Sequence, residues 1–402
     1  MPARRIAIIG AGPIGLEAAL GASRRGFEVR VYEAGQVGEH LRRFASIPLF
    51  TPFGMSSSAE GRERLRSEGV ALASESTILT AGDLVEGYLV PLARLPELAD
   101  SIRERERVTH VGREGLGKAV GVGRGGRGFL LRVEAGGATR FDRADVVVDA
   151  TGVYGNPNAT GPGGLPALGE DQLGDAIARH WDDTRLHSTN GPYARGTTLL
   201  IGDGHSAATA LLGFDQAARA GASLRVHWIS RMRRVAFAEI EGDALPARLD
   251  LARRANEIAS SAPWLTRHSG AHVVAYERRG DRVRVALTDG SSLDVDRVLA
   301  LVGYRPDLAM TRELQVHYCY ASEGTMKLAS AILGAGAGGD CLAQVAHGPE
   351  SLQNPEPDFF VLGAKSYGRN PQFLLSIGHQ QVRDALQLMG SVQGTAAPAL
   401  AR

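Results

Sequence analysis

Cysteine is scarce: the 402 residues contain only Cys319 and Cys341. Two thiols cannot build a disulfide framework or a four-thiolate zinc site. Lying 22 residues apart, they form no C-x-x-C pair, and no metal site is expected. An excess of charge of one sign is also missing. Lys and Arg total 45 against 44 for Asp and Glu, a formal net charge of +1. That balance argues against a nucleic-acid binder working by bulk charge. No apolar run approaches the roughly 18 residues of a membrane-spanning helix. The early run Ile6-Ala7-Ile8-Ile9 is too short for a secretory signal and ends in glycines. It reads as a core strand, and the expectation is a cytoplasmic protein with no nucleic-acid or membrane partner. Wholesale disorder is excluded by 44% hydrophobic and 22% charged residues. Glycine is what the chain has in surplus, 51 of 402 residues, against a usual share of about 7%. With no collagen period, the surplus points to tight turns and close backbone approaches to ligands.

Residues 5–9 read as a buried strand. Gly10-Ala11-Gly12-Pro13-Ile14-Gly15 follows, a G-x-G-x-x-G opening a helical stretch from Pro13 to Arg25. Pro13 stands near the first turn, where a missing N–H costs nothing. Gly26 ends the helix, Phe27 to Tyr32 form a second strand, and Glu33 closes it 23 residues after Gly10. The glycine pattern alone is weak in so glycine-rich a chain; the strand, helix, second strand and terminal acid together describe a dinucleotide site. Gly10 makes the tight turn, Gly12 admits a pyrophosphate against the backbone, and Gly15 lets helix and strand pack closely. The helix N-terminus directs N–H groups at the phosphates. Glu33 would accept hydrogen bonds from a ribose hydroxyl pair and repel a 2′-phosphate.

The pattern returns. Thr197 to Ile201 is a strand, followed by Gly202-Asp203-Gly204-His205-Ser206-Ala207, a helix to about Ala220, and a strand from Leu224 to Ile229. This is G-x-G-x-x-A, with Ala207 small enough for close packing. The strand now ends in Ser230-Arg231, with Arg233 and Arg234 beyond. A hydroxyl and guanidinium groups there suit a 2′-phosphate, so this second site is expected to take NADPH.

Two such units in one chain resemble the two-dinucleotide-binding-domain flavoproteins, the superfamily of flavin-containing monooxygenases and thioredoxin-reductase-like enzymes. Asp145 to Gly152 resembles the strand and A-T-G turn that close the first half of the flavin domain, with Thr151 and Gly152 in the turn. Arg297 to Asp307, with Gly303, resembles its counterpart after the second motif, and Phe359 to Gly363 the last strand, which delivers the chain to the flavin. The resemblance implies an α/β fold of two Rossmann-like, three-layer ββα dinucleotide-binding domains, with FAD at Gly10 to Glu33 and NADPH at Gly202 to Arg231. The FAD domain would be discontinuous, residues 1–155 and 297–390, with a connector over 156–189 and an inserted NADPH domain over 190–296. A Gly-rich hairpin is expected over about 117–142 and a disordered tail over 391–402.

The resemblance also implies the chemistry: a hydride from NADPH to FAD, then onward transfer. The acceptor could be oxygen, a disulfide or another small molecule or protein; a redox sensor without turnover is a further alternative. Cys319 and Cys341 fit no dithiol relay. His187-Ser188-Thr189 resembles the linker of flavin-containing and Baeyer–Villiger monooxygenases, although Trp181 and Asp183 stand where that linker has Phe and Gly. The expectation is a single-component flavin monooxygenase that uses O₂ to oxygenate a heteroatom or carbonyl of a small organic substrate, with a homodimer as the prior for assembly. By position in the family pattern, Arg42 would contact the FAD phosphates or adenosine. Thr51 and Pro52, within Phe50 to Met55, would approach the ring system. Gly363-Ala364-Lys365 departs from the family's Gly-Asp, whose carboxylate holds the ribityl chain, leaving backbone N–H groups with Lys365 or Asn370. Gly378 and His379 would open a helix facing the flavin's pyrimidine edge, which makes His379 the candidate catalytic residue. His205 would lie near the NADPH pyrophosphate. The segment 308–358, with His317-Tyr318-Cys319-Tyr320 and Lys327, is expected to shape a substrate pocket or a subunit contact.

Overall fold

The computed structural model describes residues 3–180, 183–231, 237–241, 245–334 and 347–391. Its strands are β1 Arg5–Ile9, β2 Glu28–Glu33, β3 Ile102–Glu104, β4 Glu106–Arg113, β5 Phe129–Ala135, β6 Ala138–Ala144, β7 Val146–Asp149 and β8 Ile177–Ala178. They continue with β9 Arg195–Ile201, β10 Ser223–Ser230, β11 Leu265–Ser269, β12 Val273–Arg279, β13 Arg282–Leu287, β14 Ser292–Val295, β15 Arg297–Ala300 and β16 Phe359–Val361. Two five-stranded sheets run in the orders β16-β7-β1-β2-β3 and β8-β15-β9-β10-β11, with every neighbouring pair parallel. Each sheet is accompanied by a three-stranded antiparallel one, β4-β5-β6 for the first and β12-β13-β14 for the second. The two halves repeat one plan.

Side-chain alternation builds the layers. Ile6 and Ile8 face a helical layer with Leu16, Leu20, Leu386 and Met389. Ala7 and Ile9 face the antiparallel sheet, where Val108, Phe129, Leu131 and Val133 are buried. In the second half, Leu200, Val226 and Trp228 pack on the helices His205–Arg219 and Pro246–Ser261. Leu199, Ile201 and Ile229 pack on Val273, Val283 and Val285. Strands buried on both faces explain why these segments read as continuous apolar runs. The result is the three-layer ββα arrangement, twice.

Three boundaries differ from expectation. Arg297–Ala300 pairs with β9 and β8, so the strand expected to reopen the FAD half belongs to the second sheet. Ile177–Ala178, inside the expected connector, is the edge strand of that same sheet. The hairpin expected over 117–142 comprises Phe129–Ala135 and Ala138–Ala144, with Glu106–Arg113 as its third strand. The final helix runs Leu375–Ser391, and the expected tail beyond it lies outside the described residues. No helix among the described residues is long and apolar enough to cross a membrane.

Candidate cofactor-binding cleft

The carboxyl ends of parallel strands are where open α/β sheets bind ligands. Both glycine turns lie there, and both open on one cleft of about 1640 Å³. Gly10 has φ +105, and a Cβ on it would lie 2.7 Å from the Ala150 carbonyl oxygen; Gly202 has φ +139, with its Cβ 2.3 Å from the Leu301 carbonyl oxygen. Both turns therefore demand glycine for the same reason. A Cβ on Gly15 would lie 1.9 Å from the Gly10 carbonyl oxygen, the close helix–strand contact expected of it. Ala207 is the corresponding buried residue of the second helix. Gly12 and Gly204 precede the helices Pro13–Ser23 and His205–Arg219 as N-caps, and neither glycine's Cβ would meet anything within 4 Å. The space beside each helix N-terminus is thus open, and the donors needed for a pyrophosphate face it. The residues present fit dinucleotides at both turns.

The strand ends distinguish the two turns. Ile9 pairs with Tyr32 and Ile201 with Ile229, so Glu33 and Ser230 occupy equivalent positions. The Glu33 carboxylate accepts from Ala11 N–H and Gly35 N–H, each at 2.8 Å. Burial pushes its pKa up against the pull of those two donors. Each oxygen keeps a lone pair for a ribose hydroxyl. In the second half the acid has moved into the turn. Asp203, at the position of Ala11, holds Arg231 through two bonds of 2.9 and 3.2 Å. Arg231 lines the cleft, whereas Ser230 is fully buried and accepts a 3.2 Å bond from Arg267. The Arg267 guanidinium lies 4.9 Å from the Trp228 ring centroid. Asp203, His205 and Ser206 also line the cleft; Arg233 and Arg234 lie outside the described residues.

On the first side Thr51, Thr151, Gly152 and Gly363 line the cleft, and so does Gly303 from the linker after β15. Phe50 reaches across it, its ring centroid 5.4 Å from that of His205. Four of the expected residues do not line the cleft. Arg42 turns away: its Nε donates to the Val37 carbonyl at 2.9 Å and its Nη1 pairs with Glu86, while His40, Leu41 and Arg43 take the cleft side. Pro52 caps the short helix Phe53–Ser56 without lining the cleft, and Phe53 is core, packed on Tyr88 at 5.5 Å. Gly378 serves packing, since a Cβ there would lie 2.4 Å from Ile14 Cδ1. His379 is 5% exposed and does not line the cleft. Burial, with Arg383 and Arg62 adding to it, pushes its pKa down to about 3, so the ring is neutral. It is a buried helix residue and not part of the cleft wall.

Other residues were not foreseen. His40 stands at the cleft beside Tyr154, ring centroids 6.2 Å apart, with its pKa lowered by burial and by Arg43. Asp149 ends β7 fully buried and binds Lys365 Nζ at 2.6 Å. Its only sequence signal was an acid closing an otherwise apolar strand. From the segment 308–358, Ala309 and Met310 reach the cleft; Leu314 and Met310 pack with the antiparallel sheet. His187 Nδ1 lies 3.2 Å from Gln216 Oε1, outside the cleft lining. Cys319 is buried away from the cleft and Cys341 lies outside the described residues. Among the described residues no cluster of three or more side chains could hold a metal.

A family model described as "Pyridine nucleotide-disulphide oxidoreductase" matches residues 4–353. No curated protein sequence matches. Among solved structures, the bacillithiol disulfide reductase Bdr (YpdA) from Bacillus cereus superposes with a TM-score of 0.69 at 19% identity, over 97% of this chain and 99% of that one. The ornithine N-hydroxylase of Kutzneria sp. 744 gives 0.60 at 16% identity, over 98% and 100%. Thioredoxin reductase of T. acidophilum gives 0.59 at 15%, over 98% and 100%. At these identities the likeness is one of fold.

Proposed function

Because the chain belongs to the pyridine nucleotide-disulphide oxidoreductase family, we propose that it is an NADPH-dependent flavin oxidoreductase that passes electrons from FAD directly to an acceptor bound in the shared cleft. FAD and a pyridine nucleotide are the cofactors of this two-domain fold. Bound FAD would accept a hydride and release its electrons to a second substrate. The protein's part is placement. Gly10, Gly12, Gly15 and Glu33 would hold FAD, with Thr151, Gly152 and Gly363 along its length. Gly202, Gly204, Ala207 and Arg231 would hold NADPH facing it across the cleft. The observation that carries direct transfer is that no cysteine among the described residues lines the cleft onto which both turns open.

Oxygen is the first acceptor on this reading, with a heteroatom or carbonyl of a small organic molecule as the group oxygenated. NADPH, a proton, O₂ and the substrate would yield NADP⁺, water and the oxygenated product. His187 gives this reading no support, since it faces a helix instead of the cleft. A second reading, reduction of a small-molecule disulfide at the flavin itself, is favoured by the family description. Mixing the yellow holoprotein with NADPH under nitrogen and then in air separates them. Oxygenation requires bleaching under nitrogen and colour return in air, with ¹⁸O from labelled dioxygen in the product. Disulfide reduction requires colour return under nitrogen on adding a disulfide. No bleaching under nitrogen would refute both.

Cofactor choice is tested at the second strand end. One charge-assisted hydrogen bond is worth about 1.5–3 kcal/mol, roughly 10- to 100-fold in affinity. Arg231→Ala should therefore raise the Kd for NADP⁺ by roughly that factor and leave NAD⁺ almost unchanged. Equal losses for both nucleotides would place recognition of the 2′-phosphate elsewhere.

A further inference from the structure

Lysine is rare in this chain: only Lys118, Lys327 and Lys365 occur, whereas arginine supplies the rest of the 45 basic residues. One of the three is buried. Lys365 is 1% exposed and forms part of the cleft wall, in the short helical turn that follows β16. Its Nζ donates to Asp149 Oδ2 at 2.6 Å and to Thr151 Oγ1 at 3.1 Å. Asp149 is fully buried at the end of β7, and its Oδ1 accepts from Thr151 N at 3.2 Å and from Thr151 Oγ1 at 2.7 Å. β7 pairs with β1 on one side and β16 on the other, so the pair sits at the carboxyl edge of the sheet beside the first glycine turn. Gly363, two residues before Lys365, would bring a Cβ to 3.3 Å from Ile14 in that turn.

A buried ion pair is poor value as a stabiliser, because desolvation of both charges offsets most of the attraction and an apolar pair would pack as well. An ammonium carries three donors, and these contacts use two of them. We propose that Lys365 is an FAD-binding residue, which Asp149 and Thr151 orient so that its third N–H meets an oxygen of the ribityl-phosphate arm. Ala364 precedes it and has no polar side chain, so the contact with that arm passes to the ammonium. Asp149 is a positioning residue: it fixes the ammonium without touching the cofactor.

The proposal rests on FAD occupying the first turn, and flavin binding tests the two separately. Wild type, Lys365→Met and the charge-free double variant Asp149→Asn/Lys365→Met are compared by flavin fluorescence for FAD, FMN and riboflavin, with circular dichroism as the check on folding. If wild type takes up no FAD, the placement of FAD fails and this proposal with it. Otherwise Lys365→Met should bind FAD roughly 10- to 100-fold more weakly. The double variant, which leaves no charge buried alone, should be just as weak. That result also decides the matter if Lys365→Met does not fold. Discrimination by riboflavin would locate the oxygen on the ribityl chain, and discrimination by FAD and FMN only would locate it on phosphate. Wild-type FAD affinity in the double variant would overturn the proposal, for the pair would then be structural only.

Discussion

Gly12→Val protein should fold normally and purify without yellow colour. The backbone at Gly12 has φ −82, ordinary for any residue, and a Cβ there meets nothing within 4 Å. The fold therefore tolerates the side chain, while the cleft beside the helix N-terminus does not remain open. A branched side chain in that space would displace the pyrophosphate from the N–H groups of the first turn. Overpacking at about 1–3 kcal/mol, with at least one lost charge-assisted bond at about 1.5–3 kcal/mol, amounts to roughly a hundredfold or more in FAD affinity. Absorbance of the purified protein and its melting curve give the two readouts. A yellow Gly12→Val protein would move FAD away from this turn. Gly15 supplies the contrast: its Cβ would overlap the Gly10 carbonyl, so substitution there should abolish folding rather than colour alone.

A large loss of stability is also expected at Glu356, which does not line the cleft. This carboxylate is completely buried and takes Arg113 Nε at 2.7 Å, Arg124 Nη2 at 2.6 Å and the Gln315 backbone N–H at 2.6 Å. Arg113 also lies over the Phe129 ring, 3.7 Å from its centroid. Glu356 thereby ties β4 and the loop between β4 and β5 to the segment that leads into β16. Glu356→Ala leaves two buried guanidinium groups without their anion, which costs about 3–5 kcal/mol. Denaturant titration of the FAD-loaded protein measures it, and a loss under 1 kcal/mol, roughly the worth of an exposed pair, would contradict the account. The pH dependence has a defined sign. Burial alone would raise the Glu356 pKa, but the hydrogen bonds from Arg124 and Arg113 outweigh it and hold the value below that of a free carboxyl. Its contribution is therefore complete above the unfolded value of about 4.3 and disappears as the pH falls through the lower folded one. Glu356→Ala should remove that part of the acid sensitivity.

Residues whose role follows from backbone geometry were legible in advance. Gly10, Gly15 and Gly202 are required by contacts between a turn and its own strand or helix, and such contacts recur wherever strand, turn and helix succeed one another in this spacing. Glu33 and Arg231 were legible because a strand end has a fixed relation to the turn before it. Arg42 and His379 were not. Each lies on a helix whose rotation is set by packing: the four-residue helix Glu39–Arg42 turns Arg42 towards Glu86, and the helix Leu375–Ser391 buries His379. A spacing pattern identifies the helix but does not say which side meets the cleft.

The amino-acid order by itself determined the duplicated α/β plan and the two glycine turns that open on the cleft, because strand burial, turn geometry and helix N-termini are local in the chain. Tertiary structure alone decided which distant charges came together. Asp149 meets Lys365 across 216 positions, and Arg113 meets Glu356 across 243. No local rule foresees such pairs: the first forms because β16 lies beside β7, and the second because the segment leading into β16 meets the end of β4, and both are buried from water.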